Sequence, residues 1–547
     1  MIYIHLFETI SAFTEEYEVE GIYKEPWLSY TIENKDVEYN SRHYKYSHMP
    51  LTFEVLSPGA ICWHTGEWGY DSRFREIEYK KNDGEWITIG YDSATPEVTI
   101  SVAAGDIVQF RGDNEDYGWI DDGDMVGSNF QNTSCKFKVC GNIMSMRDST
   151  NYENLTEVPS DSYYAFLGLF TRCYGLTDAS NLILATPGGY YCYQSLFNSC
   201  SSLVKPPKLT AMTLAPDCYY NMFGGCLSLR KAPELPATAL TDGCYMYMFN
   251  GCANLTTAPE LPALSVAASS YYYMFQGCTS LTKAPGLPAD TISGDSYNGM
   301  FFGCTSLVSP PVISATTLGG RSMSHMFTNC TKLVNPPVLP ATTLGQSCYE
   351  YMFYGCTSLA VAPELPATGL ATYCYSAMFY GCTSLRQTPA LPATTLAENC
   401  YSFMFQDCTS LTAITSLPAT SLANWCYFYM FANCTSLTTV SENLLPATTL
   451  KQYCYNSMFD GCIGLTRAPI LPARTLTTRC YGSMFRNCTN LNYIKAMFTT
   501  DPSANYTGGW VSGVAATGTF VKNSSAAWSE TGTNGIPNGW TVQTASS

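Results

Sequence analysis

Cysteine and the aromatic residues are the side chains here whose types and spacing could do chemistry. Of the 25 cysteines, thirteen form one column from Cys173 to Cys488, each four residues after a Met or its Leu equivalent. A second column, four residues before that Met, is Cys at nine positions, Ser at Ser270, Ser296 and Ser322, and Ala at Ala165. Cys62, Cys135 and Cys140 lie outside both. Disulfides between the columns would strand a thiol wherever Ser or Ala stands in for a partner. Zinc calls for CxxC pairs or interleaved His at ligand spacing, and neither occurs. Buried thiols packed as small hydrophobes meet the pattern best. No metal site and no cofactor is expected.

The second pattern is aromatic. At two, three and six residues beyond the first cysteine position stand Tyr247, Tyr272, Tyr273, Phe302, Tyr351, Tyr354, Tyr380, Phe403, Phe428 and Tyr429, among Ser, Asn, Gln and Gly. On a helix these positions face outward, where their rings form a candidate ligand-binding platform for sugars or another protein, acting by stacking and desolvation. The other reading is that they pack on neighbouring turns. Catalysis finds little support. The five His are His5, His43, His48, His64 and His325, and only the last lies among the repeats. No nucleophile elbow, P-loop, dinucleotide fingerprint or metallohydrolase motif is present. Glu234, Glu260 and Glu364 recur at one corner without the partner a glycosidase pair needs. The chain is read as a non-enzyme with no catalytic residue.

Both patterns are set by a repeat. Met-Phe pairs begin at Met222 and recur every 26 residues to Met430, then at Met458 and Met484; Leu196-Phe197 and Leu169-Phe170 precede them. That makes about thirteen units, and one such unit cannot bury enough apolar area to offset ~1–2 kcal/mol of backbone entropy per residue, so the units must stack as a solenoid. Within Cys374-Tyr375-Ser376-Ala377-Met378-Phe379-Tyr380-Gly381-Cys382 the Cys, Met, Tyr and Phe positions share one arc at 100° per residue, which predicts a short helix ended near Gly381. Thr383 to Pro392 predicts a short strand with Pro389 and Pro392 at its ends. If strands pair between units, the units lie ~4.8 Å apart.

Units of the form Met-Phe-x-Gly-Cys-Thr-Ser-Leu-Thr-x-Ala-Pro-x-Leu-Pro-Ala-Thr-Thr-Leu, clearest from Met274 to Pro288 and from Met352 to Leu370, resemble the BspA-like leucine-rich repeats of gut Bacteroidetes and their bacteriophages. Gly141 to Met146 is similar to the segment that opens such arrays, and Gly518 to Lys522 with Gly535 to Trp540 to the one that closes them. The resemblance implies a surface-exposed interaction protein: a bacterial adhesin where an export signal is present, or a virion fibre, spike or capsid decoration where it is not. The start, Met1 to Glu8, has no basic region, long apolar stretch or cleavage site, so no Sec signal is expected and the virion reading is preferred. The bacterial surface is the alternative location, and polysaccharide depolymerase a third function.

The expected fold class is α+β, an antiparallel β-sandwich followed by the solenoid. Its divisions are an extended N-terminal anchor (1–47), an Ig-like sandwich (48–141), a solenoid N-terminal cap (142–168), the leucine-rich-repeat solenoid (169–498) and a β-rich C-terminal cap (499–547). Pro26, Trp27 and Tyr30 lie in an aromatic extended segment suited to docking on another virion protein. Arg111-Gly112-Asp113 reads as a strand-end turn rather than an integrin motif. The acidic stretches at 113–116 and 121–124 lack EF-hand spacing and read as solvated loop, with calcium the alternative. A net charge of -16 argues against nucleic acid, and no apolar run is long enough for a membrane span. The expected partner is host cell-surface polysaccharide or protein; homo-oligomers, trimers above all, are common among virion fibres.

Overall fold

A computed structural model describes residues 45–65, 75–90, 97–121 and 124–545. Pro26, Trp27 and Tyr30 lie outside the described residues, as do Asp122 and Gly123. Tyr46–Ser547 forms one compact unit, built mainly of strands, bridges and turns with few helices.

Nine strands come first: β1 (Leu51–Val55), β2 (Gly59–His64), β3 (Ile77–Lys81), β4 (Ile87–Ile89), β5 (Glu97–Val102), β6 (Ile107–Gly112), β7 (Gly118–Asp121), β8 (Asp124–Gly127) and β9 (Phe137–Asn142). Alternation puts Val108, Phe110 and Gly112 of β6 inward. Phe53 of β1 stacks on Phe137 at 4.7 Å and meets Phe130 at 4.8 Å. Trp63 of β2 meets the same Phe130 at 4.7 Å, so residues of both sheets share one core. The larger sheet runs β10-β9-β1-β6-β3-β4, with β2 and β5 paired apart and β7 and β8 forming a hairpin. Strand β10 is Leu176–Ile183, in the first repeat, and it pairs parallel with β9, while β9 pairs antiparallel with β1. One sheet therefore carries the chain from the antiparallel region into the array.

The tripeptide at 111–113 is tied down in this region. Arg111 Nε donates to Glu78 at 2.6 Å and its guanidinium lies 4.2 Å over the Trp86 ring. Asp113 accepts from the Ser149 N–H at 2.7 Å. Asp106, in the preceding turn, accepts from the Ala103 N–H at 2.8 Å and from Asn82 Nδ2 at 3.0 Å, and Lys81 stands 2.9 Å away. Those donors hold its carboxyl well below the usual carboxylate range. A depressed carboxyl stabilises the fold above its unfolded value, near 4, and that contribution is lost as pH falls through the folded value. Asp106→Asn is expected to lower the melting temperature at pH 7, with the gap to the parent narrowing in more acidic buffer; a gap that stays constant with pH would contradict this account.

The array departs from the expected helix-plus-strand unit. Its apolar face is placed as expected: Cys374, Tyr375, Met378, Phe379 and Cys382 are all essentially inaccessible. The backbone, however, is a ribbon of overlapping turns. Ser376, Met378, Tyr380 and Cys382 donate to carbonyls three residues back. Tyr375, Ala377, Phe379 and Gly381 instead donate forward to Cys400, Ser402, Met404 and Gln406 of the next unit. Alternate N–H groups thus close local turns and bind the units together. What breaks the helix is a left-handed residue at every fourth position, here Tyr373 (φ 57), Ala377 (φ 51) and Gly381 (φ 72), which no α-helix accommodates. The expected strands shrink to single parallel bridges such as Lys231↔Thr257, Lys283↔Ser309 and Gln387↔Ala413. Among the described residues, β11 (Thr291–Ile292) and β12 (Thr317–Leu318) form a two-stranded ladder inside the array.

At the far end the ladder lengthens into three parallel strands, β13 (Tyr493–Ala496), β14 (Thr519–Asn523) and β15 (Thr541–Ala545). Trp510, Trp528 and Trp540 are buried there, and their indole N–H groups donate to Gly535, Phe498 and Ala515 carbonyls. A four-residue helix, Ala504–Thr507, precedes Trp510.

Candidate recognition surface

The left-handed residues occupy three columns: just before the first cysteine position, just before the Met, and just before the second cysteine. They recur from Tyr164 to Asn487. The third column is filled by residues that tolerate this conformation, Gly225, Gly251, Gly277 and Gly303 among them, with Asn329, Asn433 and Asn487 elsewhere. The other two are mixed: Ser195, Asn221, Gly243, Ser269, Gly299 and Asn399 stand in them beside bulky aromatic residues. Tyr164, Tyr191, Tyr247, Tyr273, Tyr351, Tyr373, Phe403, Trp425, Tyr429 and Tyr453 all have φ between 49° and 60°. A bulky L-residue there costs about 1–2 kcal/mol that Gly would avoid.

Every one of the ten aromatic residues expected on the outer face is half-buried. They are partly open to solvent and pack on one another, as the second reading of the sequence expects. From Tyr220 the contacts are continuous: Tyr220 meets Tyr247 at 5.8 Å, Tyr247 meets Tyr273 at 5.6 Å, and Tyr273 meets Phe302 at 5.8 Å. His325 then links Phe302 (6.3 Å) to Tyr351 (4.9 Å), and Tyr354 carries the run on to Tyr380 at 5.0 Å. Tyr272 and Tyr354 stand edge-on to their neighbours. Phe403, Phe428 and Tyr429 form a second cluster with Trp425 and Tyr453. Residues missed from the sequence are Tyr163 and Tyr164 of the first unit, stacked on Tyr190 and Tyr191, together with Tyr220, His325, Trp425 and Tyr453.

Beneath this face run fully buried ladders. Phe170 to Phe485 stack at 5.4–5.9 Å, one per unit. Tyr193, Tyr219, Tyr245, Tyr271 and Tyr297 do the same, as do Tyr349 to Tyr481. The array cysteines are buried with free thiols. In the column of thirteen, from Cys200 onward, each thiol donates to the Phe carbonyl of the preceding unit, as Cys226 does to Phe197 (3.2 Å) and Cys382 to Phe353 (3.1 Å). Burial pushes these thiols up, to about 12 at Cys252, Cys304 and Cys356. No group of three or more His, Cys, Asp or Glu able to hold a metal occurs among the described residues.

Charge on the aromatic face is predominantly negative. Asp217 lies half-buried beside Tyr191, and burial, with Asp242 nearby, raises its carboxyl. Glu350 is raised by burial as well. Asp295 pairs with Arg321 at 3.3 Å and Asp460 with Arg486. The imidazole of His325, pushed down by burial, stacks on Tyr351. A different side of the units carries an exposed apolar column, Val312 and Val338 (76% exposed each), beside an open groove lined by Val361, Pro363, Pro389 and Thr415.

Residues 323–492 match, in six copies, the family model described as BspA type leucine rich repeat region. The repeats there are BspA-like. Leucine-rich repeats of this kind are typically binding or scaffold domains, and proteins bearing BspA-like repeats are often surface-exposed adhesins. Among solved structures, a leucine-rich repeat protein from Eubacterium ventriosum aligns with 14% identity over 61% of this chain and 91% of its own, at a TM-score of 0.28. The TLR13–ssRNA13 complex aligns with 14% identity over 67% of this chain and 46% of that one, at a TM-score of 0.21. No curated protein matches the chain. No helix among the described residues is long and apolar enough to cross a membrane.

Proposed function

We propose that the BspA-like array is a non-enzymatic recognition scaffold whose aromatic face binds polysaccharide on a host bacterial surface. The observation that carries this reading is the presence of ten aromatic residues at left-handed positions of two columns. Gly, Asn or Ser would hold that backbone with less strain, as they do in the third column and at Ser269, Asn399 and Ser457. Strain of this kind persists where the side chain serves something other than the fold. Rings such as those of Tyr272 and Tyr354 offer apolar faces with hydroxyls at their rims, a surface that stacks on sugar rings and hydrogen-bonds their substituents.

The location we propose is a bacteriophage virion, as a fibre, spike or capsid decoration, with Pro26, Trp27 and Tyr30 contacting other virion proteins. The free thiols of the array favour it, since a chain with so many unpaired cysteines suits folding in a reducing cytosol better than export through an oxidising compartment. A bacterial cell-surface adhesin is the second reading, favoured by the frequency of that role among proteins with BspA-like repeats. Affinity electrophoresis tests the binding: the intact chain is expected to be retarded in gels containing surface polysaccharide of its host and released by excess soluble polymer. Migration unaffected by any host polysaccharide would contradict it. Immunogold labelling of purified virions and of uninfected cells separates the two locations.

A further inference from the structure

We infer that the aromatic face binds a linear, extended polysaccharide without net negative charge, lying along the stacking direction of the units with about one sugar residue per repeat. This rests on the glycan reading above and adds the shape, direction and charge of the ligand. The first support is spacing. Ring centroids of successive units from Tyr220 to Tyr380 lie 4.9–6.3 Å apart, on units that repeat at the ~4.8 Å of paired strands, near the advance of one pyranose in an extended polysaccharide. That spacing is held by inter-unit backbone bonds such as Tyr247 N–H to Tyr272 O (2.8 Å) and Tyr351 N–H to Ser376 O (3.0 Å), so it does not depend on the ligand. Adjacent sugars could then engage adjacent units in one register, each contact raising the effective concentration of the next.

Two glycines support the second point, that outward groups lie across the face rather than away from it. A Cβ at Gly299 would stand 2.4 Å from the Tyr273 ring, and one at Gly243 only 2.0 Å from Asp217 Oδ1. The ring and the carboxylate are thus both laid over the backbone of the following unit, where glycine leaves room. Charge is the third support. Asp217, Asp242 and Glu350 border the run, Arg321 is engaged by Asp295, and among the described residues no Lys or Arg forms an ion pair with Asp217 or Asp242. A uronate-rich or sulfated chain would meet like charge here; hydroxyls and amino groups would meet acceptors.

The test uses the intact chain and neutral β-1,4-linked gluco-, manno- and N-acetylglucosamine oligosaccharides from disaccharide to decasaccharide, with oligogalacturonides as the anionic series, measured by calorimetric titration. For at least one neutral series, affinity is expected to rise about tenfold or more between trisaccharide and heptasaccharide and to level off once the run of seven units is spanned. Oligogalacturonides are expected to bind at least about tenfold more weakly than neutral chains of equal length. Neutral binding with no dependence on length beyond the trisaccharide would overturn the lengthwise arrangement while leaving the glycan reading intact. Equal or tighter binding of oligogalacturonides would overturn the charge assignment. Retention of no oligosaccharide in either series would overturn this inference, and the glycan reading too if host polysaccharide likewise fails to retard the chain.

Discussion

Raising the pH past the ordinary range of a thiol is expected to unfold this protein within a narrow interval. The array thiols titrate in the unfolded chain near 8.5, whereas burial holds them far higher in the folded one, to about 12 at Cys252 and Cys374, and raises Cys226 likewise. A group whose folded value is raised contributes stability that is fully present below its unfolded value. That stability is lost as pH rises from there towards the folded value, at about 1.4 kcal/mol per pH unit for each thiol. With two columns of thirteen and nine cysteines, the loss one unit above the unfolded value is about 30 kcal/mol, comparable with the whole stability of a chain this long at roughly 0.05–0.15 kcal/mol per residue. Circular dichroism followed from pH 8 upward should show one steep transition, accompanied by the appearance of thiols that react with a disulfide reagent. Retention of native signal to about pH 11, with the thiols unreactive, would contradict the thiol ladder.

The triple substitution Tyr247→Gly, Tyr273→Gly and Tyr351→Gly is expected to abolish binding and leave the fold in place. Each change relieves about 1–2 kcal/mol of left-handed strain. Against this stand about 0.5–1.5 kcal/mol of ring contact and about 0.5–1 kcal/mol from the greater freedom of glycine in the unfolded chain. The net effect per site falls between a gain of about 1 kcal/mol and a loss of about 1.5 kcal/mol. Tyr271→Ala is the contrast: that ring is buried between Tyr245 and Tyr297, and its loss should cost about 3–5 kcal/mol. Thermal unfolding of the two variants checks the difference. A triple variant as unstable as Tyr271→Ala would mean that the outer rings serve packing alone.

The core was legible from the sequence because two backbones place it alike. Over Cys374 to Cys382, a helix at 100° per residue and a ribbon repeating every four residues both bring Cys, Tyr, Met and Phe to one side. The residue pattern alone therefore could not separate them. A separating signal was present in the third column, where Gly, Asn and Asp recur every 26 residues before the second cysteine, a filling typical of left-handed backbone. In the other two columns, aromatic residues interspersed among Gly, Ser, Asn and Asp at the same backbone positions hid it. The outward aromatic residues were found by helical angle for most units, but Tyr164, Tyr191, Trp425 and Tyr453 precede the first cysteine position and so fell outside the segment read as helix. Strand pairing was overestimated for a related reason: Pro310, Pro336 and their counterparts lack the N–H a continuous ladder needs, leaving bridges.

The central claim is that strained outer rings are kept for recognition. Its most direct test is calorimetric titration of one host polysaccharide into the parent chain and into the triple glycine variant, with melting curves recorded on the same samples. The account predicts heat of binding for the parent, none for the variant, and melting temperatures that nearly coincide. Binding of equal strength by a variant that melts like the parent would show that the rings are not the recognition surface.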